Sequence, residues 1–360
     1  MSKQNELVQF SRGASGGGSK NIIINGSMKI AQRSVSETGL GGADGYFTVD
    51  RFKIDKEGSS SGRFTMSQHS DGPSGFAKCI KLDCTTADTS IGANERLLLR
   101  YIIEGQDLQQ LKKGTSDAET FTISFYVKGD AAATYSLSLY DGDNGRMISQ
   151  TFDVTTSWNR IELTFAGDTT GAFDNDNGAS LYLDMFLHAG SDYTSGTLQT
   201  SWGANANPNR AVGISSFFDS TNREFYITGY QLEVNDTATD FEYRSDELQR
   251  CQRYYYRRTG DPDANYIPLA SAYLTTAIFA SALHPVQMRA NPSVTISGNI
   301  RAIDGNTSSK ISSSHSITSL SRVDTLVWYT NACFSGLTQY RPYFVNGETG
   351  AGYMEVSAEL

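Results

Sequence analysis

The side chains able to do chemistry are scattered through this chain of 360 residues. His69, His188, His284 and His315 stand far apart, none at metal-ligand spacing from another His or Cys, so a zinc centre has no local signature. Cys79, Cys84, Cys251 and Cys333 contain no Cys-x-x-Cys pair. On a strand Cys79 and Cys84 would point to opposite faces, which rules out a bridge between them and predicts free, mostly buried thiols. No Gly-x-Ser-x-Gly, His-Glu-x-x-His or Walker-type loop is present. With 39 acidic residues, carboxylate pairs arise by chance, so their presence alone does not point to glycoside hydrolysis. These absences predict a protein that is not an enzyme. The acidic stretches Asp141-Gly-Asp-Asn-Gly145 and Asp174-Asn-Asp-Asn-Gly178 read as turns. A structural calcium on Asp141, Asp143, Asp174 or Asp176 is the alternative, although neither stretch has a Glu at the EF-hand end position. No cofactor is expected beyond that ion.

Binding is the chemistry that remains. Sugars stack their apolar faces on exposed aromatic rings while polar side chains fix the hydroxyls. Tyr193 and Trp202, with Asn205 and Asn207 in the loop Ser201-Trp-Gly-Ala-Asn-Ala-Asn207, are therefore candidates, packing under a loop being the competing role. Trp328, Tyr329, Tyr340 and Tyr343 form a second aromatic group, suited either to a distal binding patch or to a subunit interface. Trp158, ahead of an alternating strand, reads as core.

The elements that must carry these residues are strands. The chain has 34 Gly, 19 Tyr, 18 Phe and only 19% charged residues, and its length exceeds the roughly 250–300 residues at which one core stops growing. Apolar residues alternate with polar ones over 22–25, 46–54, 63–68, 77–83, 96–103, 121–128, 135–139, 148–152, 161–165, 180–187 and 225–234, the pattern of half-buried antiparallel strands. Residues 106–113 allow one helical turn. Within 225–234 the buried set moves from Phe225 and Ile227 to Tyr230 and Leu232, predicting a bulge at Gly229. Ser245 ahead of Asp246 and Glu247 predicts a capped helix with Leu248, Cys251 and Tyr255 on one face, changing to strand near Tyr254. Arg253, Arg257 and Arg258 gather near its other end. Strands resume over 266–270, 275–282, 293–296, 300–303, 325–330 and 352–356, with 306–319 read as exposed loop. The expected domains are a flexible peptide 1–20, a β-sandwich 21–244, a linking helix and strand 245–258 and a smaller β domain 259–360.

The net charge of −9 and pI near 5.0 argue against nucleic acid, since phosphate neutralisation needs clustered cations. No apolar run reaches the roughly 18 residues of a membrane span, and the N-terminus lacks the apolar core of a signal peptide, so no membrane insertion or export by such a signal is expected. Met1 to Lys20 is polar and Gly/Ser-rich, with Leu7, Val8, Phe10 and Arg12 as the side chains available for docking.

The series Asn21-Ile-Ile-Ile-Asn-Gly-Ser-Met28, Arg33, Asp50-Arg-Phe52, Phe225-Tyr-Ile-Thr-Gly-Tyr-Gln-Leu-Glu-Val234, Phe241-Glu-Tyr-Arg244, Cys251-Gln-Arg-Tyr-Tyr255, Pro285-Val-Gln-Met-Arg-Ala-Asn-Pro292 and Ala358-Glu-Leu360 resembles virion appendage proteins of tailed bacteriophages, many of them marine. That family is described as tail fibre or receptor-binding proteins with a domain like a carbohydrate-binding module. Trp158-Asn-Arg-Ile-Glu-Leu-Thr-Phe165 is similar to a recurrent element of such modules. The resemblance implies an all-β fold: a jelly-roll β-sandwich, then a short helix and a second, smaller β-sandwich domain. It also implies a homotrimeric, non-enzymatic tail fibre, made in the host bacterial cytoplasm and held to other virion proteins through the N-terminal peptide. Such a fibre would adsorb to host surface glycans or the envelope. A capsid decoration protein is the alternative, and a glycan depolymerase a third, disfavoured by the absence of β-helix repeats. The sequence has no coiled-coil heptads, so a trimer would be held by sandwich contacts.

Overall fold

The computed structural model describes residues 20–259, 267–304, 309–312, 316–331, 333–347 and 352–360. The docking candidates Leu7, Val8, Phe10 and Arg12, and His315, lie outside these residues.

The first half folds as two antiparallel sheets face to face. Its strands are β1 (Ser36–Leu40), β2 (Gly45–Tyr46), β3 (Phe52–Glu57), β4 (Arg63–His69), β5 (Cys79–Thr86), β6 (Arg96–Glu104), β7 (Phe121–Gly129), β8 (Ala133–Asp141), β9 (Arg146–Val154), β10 (Asn159–Phe165), β11 (Ala179–Ala189), β12 (Gly203–Ala204) and β13 (Glu224–Glu233). The first sheet runs β1-β4-β5-β13-β7-β10 and the second β12-β9-β8-β11-β6-β3-β2. Strands adjacent in sequence fall in opposite sheets at several points, so apolar alternation on each strand closes one shared core. Phe64, Phe125, Ile227 and Tyr230 meet Leu99, Leu137, Leu183 and Met185 in it. Each such side chain contributes about 2 kcal/mol by leaving water.

The strand pattern read from alternation holds to within a few residues at most ends, and the departures have local causes. Residues 46–54 do not form one strand, because the chain turns at Arg51, whose left-handed backbone (φ 75°) starts β3 in a new direction. Residues 22–25 are not a strand, although the Ile22 amide donates to the carbonyl of Leu232. The bulge falls at Gly229, with φ 66° and a register shift between Thr228 and Gln231. Cys79 and Cys84 are buried on opposite faces of β5.

Helix α1 is a single turn, Ser191–Thr194, and α2 spans Glu247–Gln252. Two features of α2 differ from expectation. Ser245 makes no cap; the Glu247 carboxylate in the first turn instead accepts the Asn25 amide. Leu248 is exposed; Cys251 is the buried position of the helix, and Tyr255, buried as well, already belongs to the strand that follows.

Beyond it come β14 (Tyr255–Thr259), β15 (Ile267–Leu274), β16 (Ala277–Leu283), β17 (Ser293–Ser297), β18 (Ile300–Ile303), β19 (Ser309–Ser312), β20 (Ser316–Ser319), β21 (Thr325–Asn331), β22 (Pro342–Gly347) and β23 (Tyr353–Ser357). They make a three-stranded sheet, β14-β23-β17, and a seven-stranded sheet, β19-β18-β22-β15-β16-β21-β20, around a second core that includes Trp328, Tyr343, Val345 and Met354. The stretch 306–319, expected as loop, contains β19 and β20. Its alternation is almost wholly Ser/Thr, with single Ile residues too sparse to register as a face. Among the described residues no helix is long and apolar enough to cross a membrane.

The two halves are joined by the sequence motifs singled out above. Arg51, buried, gives Nη1 to Glu359 and Nη2 to the Ile102 carbonyl at 2.8 Å, while its guanidinium lies 3.4 Å from the Tyr254 ring centroid. Arg33 stacks 3.5 Å over Tyr255 and reaches Glu359 at 3.3 Å. Asn25, at φ 61°, bonds with its side chain to Ile30 and the Asp50 carbonyl. The Ala358 amide donates to the Tyr254 carbonyl, and the Tyr46 hydroxyl to the carbonyl of Leu360. These residues read as structural, and in the fold they form one junction.

Candidate functional site

The site is built on the outer face of the second sheet, where β6, β11 and β8 lie side by side. Leu181, Leu183 and Met185 of β11 fill the core, so Tyr182, Asp184 and Phe186 point outward; by the same alternation β8 turns out Ser136, Ser138 and Tyr140. The register sets Tyr182 opposite Tyr140, and Asp184 between Arg100 and Ser138. The two tyrosines are half-buried, with ring centroids 5.6 Å apart and planes inclined by 44°.

Beneath them sits a fixed charge network. Asp184, fully buried, receives Arg100 through Nε (2.5 Å) and Nη2 (3.0 Å), and Arg210 through Nη2 (2.6 Å). Arg100 also reaches Asp55, which Arg96 contacts at 3.1 Å. Burial alone would raise the Asp184 carboxyl, but the two guanidinium groups together hold it below its ordinary value. At Asp55 burial prevails over the pull of Arg100 and Arg96, and the carboxyl is raised. The guanidinium of Arg100 lies 5.3 Å from the Tyr182 ring centroid and that of Arg210 5.7 Å from Tyr140. Each ring is thus flanked by an immobilised cation. Both carboxylates are engaged by arginines, which leaves neither placed as a general acid or base. Two adjacent half-exposed rings over a pre-paired polar floor can stack pyranose faces and donate to hydroxyls.

The expected residues distribute unevenly about this face. Asn205 and Asn207 remain exposed in the loop that crosses it, where the Ala206 amide meets the sulfur of Met147, the register neighbour of Tyr140. Tyr193 is not a platform. It is buried, its hydroxyl donates to Glu57 at 2.7 Å and accepts from Arg96, and burial pushes its phenol up to about 12. Trp202 is half-buried, gives its indole N–H to the Ala166 carbonyl at 2.8 Å and lies under the Lys113 ammonium, a packing role. Trp328 and Tyr343 belong to the second core and present no ring to solvent, because β21 and β22 both turn them inward. Tyr340 is 78% exposed and holds a left-handed backbone, φ 66°. Trp158, expected in the core, is half-buried on the outer face of the first sheet, edge-on to Tyr226. Lys128 and Lys81 lie over that tyrosine, which is itself buried, while the Trp158 ring keeps partial exposure.

The two acidic turns touch through one hydrogen bond, the Asp174 amide to Asp143. Asp141, buried, receives the Lys113 ammonium at 2.6 Å; the same ammonium meets Asp168 at 3.2 Å and the carbonyls of Thr170 (2.8 Å) and Gly171 (2.6 Å). Two carboxylates and two carbonyls, a donor set that suits a hard cation, are filled by a side chain. Asp141 caps the first turn by accepting the amides of Asp143 and Asn144, and Asp176 caps the second by accepting that of Gly178. Among the described residues no group of three or more His, Cys, Asp or Glu is arranged to hold a metal. His188 is buried against Ser216 and Glu95, and His284 against Tyr256 and the Arg322 carbonyl.

Tyr140 and Tyr182 are not among the aromatics that the sequence reading offers. The available signal was phase: each is an aromatic at a polar-face position of an alternating strand.

No protein-family model matches the chain, and no curated protein matches it significantly. Among solved structures, the enzymatically active domain of tailspike protein 4 of bacteriophage CBA120 aligns over 60% of this chain at a TM-score of 0.31 and 11% identity. This chain spans only 22% of that one. A CBM4 carbohydrate-binding module aligns over 60% of this chain and 100% of its own length (TM-score 0.30, 12% identity). The CBM22-1 xylan-binding domain from Paenibacillus barcinonensis Xyn10C aligns over 62% and 100% (0.30, 12%). Likeness at this level bears on neither ligand nor reaction.

Proposed function

We propose that this chain is a non-enzymatic glycan-binding protein of a tailed-phage particle. It would be a homotrimeric fibre, docked on other virion proteins through Leu7, Val8, Phe10 and Arg12 and adsorbing to host surface glycans with its sandwich. The virion setting, the trimer and the docking peptide rest on the sequence resemblance. The adhesive role rests on one observation, the Tyr140–Tyr182 pair held over the Arg100–Asp184–Arg210 network. Around it Lys53, Arg96, Arg100 and Arg210 stand against Asp55, Glu57 and Asp184, a near-balance that suits neutral sugars better than strongly anionic ones.

The test is binding of the purified chain to host cells and to polysaccharide extracted from their envelope. Tyr182→Ala and Tyr140→Ala are each expected to weaken binding about tenfold, as removal of an aromatic anchor does, and the fold should survive both. Because the charges are paired internally, binding should change little between low and physiological salt. A Tyr140→Ala/Tyr182→Ala double variant that binds as well as the parent would overturn the reading. So would release of sugar from the polysaccharide, or saturable binding to emptied phage heads in place of host cells.

A further inference from the structure

Lys113 is the one buried lysine among the described residues, and it meets two buried carboxylates. It follows the 3-10 helix Gly105–Leu111, and its Nζ reaches Asp141, the last residue of β8, at 2.6 Å and Asp168, beyond β10, at 3.2 Å. The side chains of Lys113, Asp141 and Asp168 are 4%, 0% and 4% exposed. Nζ also lies 2.8 Å from the Thr170 carbonyl and 2.6 Å from that of Gly171, so four oxygens compete for the three protons of an ammonium. A neutral amine fits the same set: its two N–H bonds serve the carbonyls and its lone pair faces the Asp141 carboxyl. The Phe173 and Trp202 rings stand 5.2 Å and 5.6 Å away, and the cavity they line with Lys113 and Asp168 measures about 10 Å³, the lower limit for one water. On the far side of the carboxyl, Asp141 Oδ1 accepts the backbone amides of Asp143 (3.0 Å) and Asn144 (3.1 Å) and the Asn144 side-chain amide (3.2 Å).

We propose that Lys113 and Asp141 condense to an isopeptide bond once the chain has folded, with Asp168 carrying a proton between them. In the uncondensed chain described above the pair is ionic. One proton passes from Nζ to Asp141 Oδ2 across their 2.6 Å contact, leaving an amine and a carboxylic acid where separated charges gain little from water. Nζ then attacks Cγ, one bond beyond that oxygen. The developing oxyanion falls on Oδ1, at which three N–H donors already point. Asp168 takes the second proton from Nζ and returns it to Oδ2; the Cγ–Oδ2 bond breaks and that oxygen leaves as water. An ammonium and a carboxylate thus become an amide and one water, with no oxidant and no cofactor. Burial alone would raise the Asp168 carboxyl, but Arg146, the Thr170 amide and Lys113 hold it below its ordinary value, so it enters the step as a base. Between free groups in water this condensation is slow and unfavourable, whereas groups held in contact react at effective concentrations of roughly 10⁵–10⁸ M. The bond closes β7 and β8 into a covalent ring, opposite the short turn that already joins them, and β7 and β8 lie in different sheets. A pull on the sandwich then loads a covalent link in place of hydrogen bonds.

The test is the mass of the purified full chain, denatured before measurement. It should fall short of the sequence mass by one water. Digestion should yield a branched peptide joining the segment of Lys113 to that of Asp141, with no tryptic cut after Lys113. Asp141 precedes Gly142, and an Asp-Gly pair also loses water by closing to a succinimide. Mild base reopens a succinimide and leaves an amide intact, so the deficit should survive that treatment. Lys113→Arg, which keeps the charge, should show its full sequence mass, and so should Asp168→Asn. The parent measurement needs no variant to fold: a folded parent at full sequence mass overturns the inference. A deficit without the branched peptide, or one that persists in Lys113→Arg, overturns it as well. A bond that still forms in Asp168→Asn overturns the role given to Asp168. None of these results bears on glycan binding, so the proposed function stands or falls separately.

Discussion

Lys113 and Asp50 are two buried charges in opposite circumstances. The Lys113 ammonium has four oxygen partners, and Asp141 relies on it; Lys113→Met would leave the Asp141 carboxylate buried without its cation, at a cost of about 3–5 kcal/mol. Urea unfolding should show that loss, and added calcium that restores stability to this variant alone would mark the oxygen cage as able to take an ion. Asp50 has Gln32 and a distant Arg33, and burial pushes its carboxyl up from 3.8 to about 6. Its folded pKa lies above the unfolded one, so the folded state binds the extra proton between those values. The stabilisation is complete below about pH 4 and is lost as pH rises through 6. Asp50→Asn should therefore gain on the parent by about 2–3 kcal/mol at pH 7 and show no such gain at pH 4. Tyr340 poses a backbone question. A bulky residue at φ 66° costs of order 1 kcal/mol, so Tyr340→Gly should raise the melting temperature slightly.

At the level of elements, β13 shows why a phase flip in sequence carries structural information. Gly229 allows the positive φ at which the strand exchanges faces, and a Cβ there would approach Phe76 Cζ to 2.8 Å and Tyr126 Cδ2 to 2.9 Å. Gly229→Ala should destabilise by about 2 kcal/mol through strain and crowding together, measurable as a lower denaturant midpoint with unchanged slope. Alternation failed at 46–54, and the expected Ser245 cap failed at α2. In the first case Arg51 is diverted from the strand to the junction, and in the second Glu247 is drawn to Asn25, a residue more than two hundred positions away. Neither partner is local, so no window of sequence around the element contains it.

For the whole molecule the question is how the two cores communicate. Arg51, Arg33, Tyr254, Tyr255 and Glu359 bring the entry strands, the short helix and the C-terminal residues to one place, with Glu359 shared between two guanidinium groups. Arg51→Gln should break that sharing and leave Glu359 undercompensated. The expected outcome is a split of one cooperative thermal transition into two, seen by calorimetry, with the C-terminal core melting first. A single transition at the parental temperature would mean that the remaining contacts suffice to couple the cores.

Alternation of side chains over most of the chain, Gly229 and the turn-forming acidic stretches are local properties, which is why the all-β character, most strand positions and the bulge were legible in the sequence. The motifs of the first forty residues, of 251–255 and of 358–360 were also visible, but not that they meet. Phase within the strand separates Tyr140 and Tyr182, at polar-face positions, from Trp328 and Tyr343, at apolar-face ones, but it leaves open which outward ring stays uncovered. Which of them faces water depends on what crosses the sheet above it, and that covering comes from distant segments such as the loop bearing Arg210. Burial is a sum over neighbours brought together by register and layer packing, so tertiary structure decided which candidate rings reach water, whereas hydrogen-bonding period and backbone freedom, encoded residue by residue, had already decided the strands.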